Sequence, residues 1–300
     1  MKLKMSELAV MAGIAVFLVL VQVLSIVLAP TLTSNDLRAF GNPESVLNPI
    51  FYVILLLVFT LALLVIIKYK INWLIQLIMG LAVLSTLVYV FFVLIVMAVP
   101  SAGLFAWVVA GGVSVLLTAL LLIYPEWFII DIVGILVAAG AAALFGVSLA
   151  IIPTLILLVI LAIYDFISVY KTKHMIALAE GVMDLKLPIL FVMPRKWGYS
   201  FKQAKGLPKE GEREAYFMGL GDAVMPTMLS VSANVFLDAP GIGFINFPAL
   251  GSMLGTLISY FVLMYLVIKV KKPQAGLPFL CTGSIVGFLL GCLAAGIRPF

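Results

Sequence analysis

The sequence predicts an all-α fold: a polytopic bundle of about nine membrane-crossing helices, with the N-terminus cytoplasmic and the C-terminus outside. Three observations carry this. Of 300 residues, 65% are hydrophobic and 10% charged, against about 45–50% and about 25% in an ordinary soluble domain. Too little polar surface is left to wrap a water-soluble core, which excludes a soluble enzyme, a disordered chain and a secreted disulfide scaffold. The apolar runs are continuous over roughly 20 residues, the length of a bilayer-crossing helix, and do not alternate as barrel strands do. The basic residues, finally, gather on one side of the membrane.

In chain order the spans cover roughly 7–30, 47–68, 73–99, 102–124, 127–147, 149–170, 213–236, 242–268 and 275–297. The first is about 23 residues long, beyond the 7–15 of a signal-peptide core, and reads as a retained helix. The fifth begins beside an interfacial Trp127. After the sixth comes one long loop, so the chain divides into a six-span part (1–170), a cytoplasmic loop (171–212) and a three-span part (213–300). Within the loop, His174 to Leu187 suits a short helix on the membrane surface. Leu187 to Pro194 reads as an extended segment bounded by prolines, and Lys202 to Glu214 as a charged, mobile stretch. Gly251 and Gly255 in the eighth span, and Gly283, Gly287 and Gly291 in the ninth, recur every four residues and form smooth faces for close helix approach. Cys281 and Cys292 both fall in the ninth span, about 16 Å apart along a helix, too far for a disulfide.

Lys2, Lys4, Lys68, Lys70, the basic residues from Lys171 to Arg213, and Lys269, Lys271 and Lys272 all fall inside; only Arg38 and Arg298 fall outside. This is the positive-inside distribution. It explains the net charge of +5 by topology, with no nucleic-acid partner, and predicts a multi-pass protein of the cell membrane.

Most acidic residues flank the spans, but Asp131, Asp165 and Asp222 lie inside them, with no Lys, Arg or His at depth to pair with. An intramembrane carboxylate costs at least about 2.5–3.5 kcal/mol on insertion scales, which makes each a functional candidate. Asp165 precedes Lys171 by about 9 Å of helix rise, and Asp222 follows Arg213 by about 13 Å. Both lie in the cytoplasmic half of neighbouring, antiparallel spans. Two carboxyls that meet there share one proton, because like charges at close range cannot both ionise. The ionised partner then deprotonates a water while the protonated one polarises a carbonyl. Asp131, about 8 Å beyond Glu126, is within reach of either acid. Its plainer reading is a hydrogen-bonded residue at the helix entrance, for which Asp131→Asn has a much smaller effect.

Asp165 stands in Ile163-Tyr164-Asp165-Phe166, and Asp222 in Gly219-Leu220-Gly221-Asp222. Tyr-Asp in one span and Gly-x-Gly-Asp in the next resemble the presenilin and signal peptide peptidase family of intramembrane aspartyl proteases, in the form of a prokaryotic presenilin homologue. That family's third motif, Pro-Ala-Leu at the start of the ninth span, has its counterpart in Pro278-Phe279-Leu280, where Phe279 replaces the usual alanine. A literal Pro248-Ala249-Leu250 occurs in the eighth span, out of order for the motif. The resemblance implies that Asp165 and Asp222 form a catalytic dyad. It implies hydrolysis of peptide bonds within transmembrane segments of membrane-protein or signal-peptide substrates, with no metal and no organic cofactor. Its partners would be transmembrane peptide or protein substrates and the lipid bilayer. The short loops suit a chain that works alone or as a homo-oligomer.

The motif residues also have physical readings. Gly219 and Gly221 each cost a helix about 1 kcal/mol relative to alanine, yet let backbone come close beside Asp222; helix packing is the other reading. Tyr164 either orients Asp165 or is an interfacial aromatic. Pro278 either leaves a carbonyl free where the site is protein-lined or wet, or starts a helix. A substrate helix must unwind before attack, and its backbone then needs partners in lipid. Leu187, Ile189 and Leu190 are expected to offer a strand edge for it, so that proline at Leu190 slows cleavage.

Rival chemistries fail on residue types. A zinc protease needs H-E-x-x-H, and the single histidine, His174, lies in the loop, too far to activate a buried serine. The alternative is a proton-coupled transporter using the buried aspartates as a relay; against it, the sequence shows no repeated halves.

Overall fold

Long apolar runs with few breakers become long helices. The computed structural model describes residues 5–69, 71–172, 190–195, 198–201, 215–270 and 274–299. The expected surface helix from His174 to Leu187 and the charged stretch from Lys202 to Glu214 lie outside the described residues, as do Leu187 and Ile189.

Among the described residues there are nine α-helices: α1 Met5–Ser34, α2 Leu47–Lys68, α3 Asn72–Ala98, α4 Gly103–Ile123, α5 Trp127–Ser148, α6 Ile151–Ile167, α7 Leu220–Phe236, α8 Phe247–Val270 and α9 Leu277–Ala295. Eight segments are long and apolar enough to cross a membrane. The remaining helix, α7, has 17 residues, about 26 Å of rise.

Two boundaries differ from expectation. The seventh span does not start as helix near 213: Ala215–Gly219 is a strand, β2, antiparallel to β1, Leu190–Pro194. Gly219 and Gly221 weaken the helix on this side, and Tyr216 and Phe217 suit a strand once β1 supplies ladder partners. The eighth span starts as helix only at Phe247, because Gly241–Ile242 (β3) and Ile245–Asn246 (β4) form a small hairpin that turns at Gly243, φ 63°.

Two helices organise the interior. On α5, Gly134 and Gly146 admit neighbours: a Cβ at Gly134 would stand 3.1 Å from Leu220 Cδ2 and 3.3 Å from Phe191 Cε1, and one at Gly146 would collide with Val231 of α7. On α9, the predicted glycine stripe is a contact surface. A Cβ on Gly251, Gly255, Gly283 or Gly287 would run into the backbone of the facing glycine across the α8–α9 seam. With hydrophobic driving force absent between helices in lipid, such close backbone approach is what holds them.

A buried hydroxyl chain ties the last three helices. Ser230 Oγ of α7 donates to Ser252 Oγ of α8 at 2.9 Å, Ser252 and Ser284 of α9 lie at 2.8 Å, and Ser284 Oγ donates to the Pro226 carbonyl of α7 at 3.2 Å. Since Ser284 spends its proton on Pro226, Ser252 donates to Ser284. The two cysteines are free and buried.

Candidate active site

Each of the two predicted carboxyls meets the start of a helix: Asp222 belongs to the first turn of α7, and Asp165 faces the first turn of α9. A helix N-terminus exposes amides without intrahelical partners and carries partial positive charge. Asp222 is the third residue of α7, with Gly219 as the N-cap. Its carboxylate turns back and accepts a hydrogen bond from the Gly219 amide, the side-chain half of a capping box. Pro226, four residues on, has no N–H to meet the Asp222 carbonyl.

Asp165 is supplied by the last turn of α6, which passes into a π-helical turn at Ser168–Thr172. Its Oδ2 accepts the Leu277 amide at 3.2 Å, at the first turn of α9, and the Gly276 amide also bonds it. Pro278 is tolerated here because first-turn amides have no helical partner to lose. Asp165 is 6% exposed, and Asp222 is half-buried.

The two carboxyls therefore converge on one short piece of backbone. Asp165 bonds Leu277, and the Asp222 carboxyl lies so close to Gly276 that a Cβ there would stand 2.8 Å from Oδ2, 2.9 Å from Cγ and 3.0 Å from Oδ1. They are near enough to interact electrostatically, and the buried Cys281 thiol lies within reach of both. Beside them, Phe166, Tyr170, Ala275, Pro278 and Phe279 line a cavity of about 350 Å³, and the Tyr170 hydroxyl donates to Gln274 Oε1 at 2.7 Å. Two carboxyls, amides from two helix starts and an adjoining apolar cavity make an arrangement suited to activating water against a carbonyl.

The other predicted residues fall as follows. Tyr164 hydrogen-bonds Thr60 of α2 and is near enough to Asp165 to feel its charge. Leu220 packs over the Gly134 face of α5, and Gly221 is exposed. Leu280 is buried in the core behind Pro278 and Phe279. Leu190 is the first residue of β1. Asp131 stands apart on α5, where it accepts the Val192 amide at 2.8 Å. Gly276 escapes the motifs, although a glycine directly ahead of Leu-Pro-x-Leu signals backbone that something must approach.

A family model described as signal-peptide peptidase, presenilin aspartyl protease matches residues 14–297. No curated protein matches. The chain is similar to the solved structure of a presenilin family intramembrane aspartate protease in a C222 crystal form. The two are 38% identical with a TM-score of 0.71, covering 95% of this chain and 99% of that one. The P2 form of such a protease is 39% identical, with a TM-score of 0.69, covering 94% and 97%.

Proposed function

This chain belongs to the signal-peptide peptidase and presenilin family of aspartyl proteases, and from that membership we propose that Asp165 and Asp222 are its catalytic dyad. The protein is an integral membrane protein and an intramembrane aspartic endopeptidase. The observation that carries the residue assignment is the convergence of both carboxyls on Gly276 and Leu277. In the working state one proton is held between them. The ionised carboxyl takes a proton from water as its oxygen attacks the scissile carbonyl carbon, and the protonated one hydrogen-bonds the carbonyl oxygen. Proton return to the amide nitrogen then breaks the C–N bond. Substrates are transmembrane segments of membrane proteins or signal peptides. The inward bias of Lys and Arg supports a place in the cell membrane, and the short loops a monomer or homo-oligomer.

The test is purified protein in liposomes with a transmembrane substrate, with products read by mass spectrometry. The rate against pH is expected to be bell-shaped. It falls on the acid side when both carboxyls are protonated and no base remains, and on the alkaline side when both are ionised and no acid remains. A rate independent of pH from 4 to 9 sinks the shared-proton mechanism.

Substrate strand addition at the β1–β2 hairpin is part of the same proposal, with Leu190 as a contact and with Leu187 and Ile189, outside the described residues, proposed on sequence alone. The Val192 amide goes to Asp131, so Val192 and its partner Phe217 are a non-hydrogen-bonded pair, and the Phe217 amide and carbonyl turn away from β1. Proline at Phe217 removes that outward donor without touching a ladder bond. Phe217→Pro is expected to slow cleavage about tenfold in a folded protein, and more than Leu190→Pro does. The opposite order assigns the substrate to the β1 edge.

A further inference from the structure

Asp131 is the one intramembrane acid that the dyad leaves unused. It is 3% exposed. Its Oδ1 accepts the Val192 amide at 2.8 Å, while its Oδ2 has no hydrogen-bond partner among the described residues. Such a group in the interior of a membrane protein is expensive to keep, so the bond it makes must matter.

That bond joins α5 to the strand facing the catalytic turn. Val192 pairs across the hairpin with Phe217, and Gly219, two residues on, caps α7 and donates its amide to the Asp222 carboxyl. α5 and its N-cap hold this unit and the stretch after β1 at two further points. One turn on, Gly134 admits both Phe191 of β1 and Leu220, the first residue of α7; at the helix entrance, Glu126 Oε1 accepts the Ser200 hydroxyl at 2.8 Å. Ile130 and Val133 of α5, Val192 of β1 and Ala215 of β2 share one buried cluster around the bond.

We propose that Asp131 is a positioning residue for proteolysis: from α5 it fixes the β1–β2 hairpin through the Val192 amide, and through the hairpin it fixes the turn that carries Asp222. It also occupies the outward amide of β1, so that this point of the β1 edge is closed to a substrate strand. The inference rests on the dyad reading, and its test is built to fail separately from it.

The role needs an oxygen acceptor at position 131 and no charge. Asp131→Asn keeps that acceptor, so it is expected to cleave within about twofold of the parent protein, with an unchanged pH–rate profile. Asp131→Leu keeps the shape and loses the acceptor, so kcat is expected to fall about tenfold or more, with a smaller change in KM. Val192→Pro deletes the donor and leaves the ladder intact, since that amide points away from β2; it should reproduce the loss, and the double variant should be no worse than either single one. Amide hydrogen exchange within 190–194 and 215–219 should quicken in Asp131→Leu and not in Asp131→Asn. That readout does not depend on which residues do the chemistry, whereas Asp165→Ala and Asp222→Ala, run alongside, test the dyad.

Three results overturn the proposal. Asp131→Asn as damaging as Asp131→Leu, or shifting a limb of the pH profile, gives the carboxyl a proton-transfer role. Asp131→Leu with parental kcat and exchange removes the positioning role. If Asp131→Leu does not fold, Val192→Pro decides, and parental activity there sinks the idea.

Discussion

Asp165→Ala and Asp222→Ala each lower cleavage of a transmembrane substrate by at least about a thousandfold, the scale of a lost general acid or base. The double variant is no slower than either single one, because two groups that act as a unit do not contribute separately. Folding must be checked, since Asp165 also accepts the Leu277 amide at the start of α9. Truncation to alanine leaves that amide unpaired, at about 1–3 kcal/mol if water cannot replace the acceptor. Asp165→Asn separates the effects: its side-chain oxygen can still accept the amide, so the melting temperature stays near the parent's while cleavage is lost. For Asp222→Asn the reasoning is the same, with the Gly219 amide in place of Leu277. Measurable turnover in either asparagine variant would falsify the dyad.

How far this site could be read in advance follows from what depth and spacing encode. Asp165 and Asp222 stand out in the sequence because nearly every other charge marks a helix end. The glycine stripe on α9 is legible because spacing four on a helix places residues on one face, and the structure pairs it with Gly251 and Gly255 of α8. The strand at Ala215–Gly219 was not legible: its residues continue an apolar run into α7, and only the distant pairing with β1 draws them out into a ladder. With Ala215–Gly219 extended, the path to Asp222 is longer than a continuous helix would make it, since strand rises further per residue than helix. The part played by α9 was also hidden. Pro278 and Phe279 are visible as a motif, but no local pattern says that the amides just ahead of them face Asp165, nor that Asp131 would meet Val192 from 61 residues away. Tertiary approach decides both.

Gly276→Val abolishes cleavage and leaves the fold intact, although no carboxyl is touched. The backbone at Gly276 is ordinary, φ −80° and ψ −46°, so any residue can adopt it and the requirement for glycine is one of space alone. A Cβ there would stand 2.8–3.0 Å from three atoms of the Asp222 carboxyl, closer than packed side chains come. The carboxyl has no free retreat, since the Gly219 amide holds it and Gly219 itself lies close, a Cβ there standing 3.4 Å from Oδ2. The alternative is that the first turn of α9 withdraws, which lengthens the 3.2 Å bond from Leu277 to Asp165. Either movement separates the two groups that must share a proton, and about 1 Å of misplacement can cost a hundredfold in rate. Gly276→Ala is therefore expected to lower kcat about a hundredfold, with valine worse because its branches crowd the same carboxyl. Gly111→Ala, where nothing lies within 4 Å of the new Cβ, serves as the control and should leave kcat and melting temperature unchanged. Parental kcat in Gly276→Ala would mean that the carboxyls do not work in the geometry described, whatever the outcome at Asp165 and Asp222.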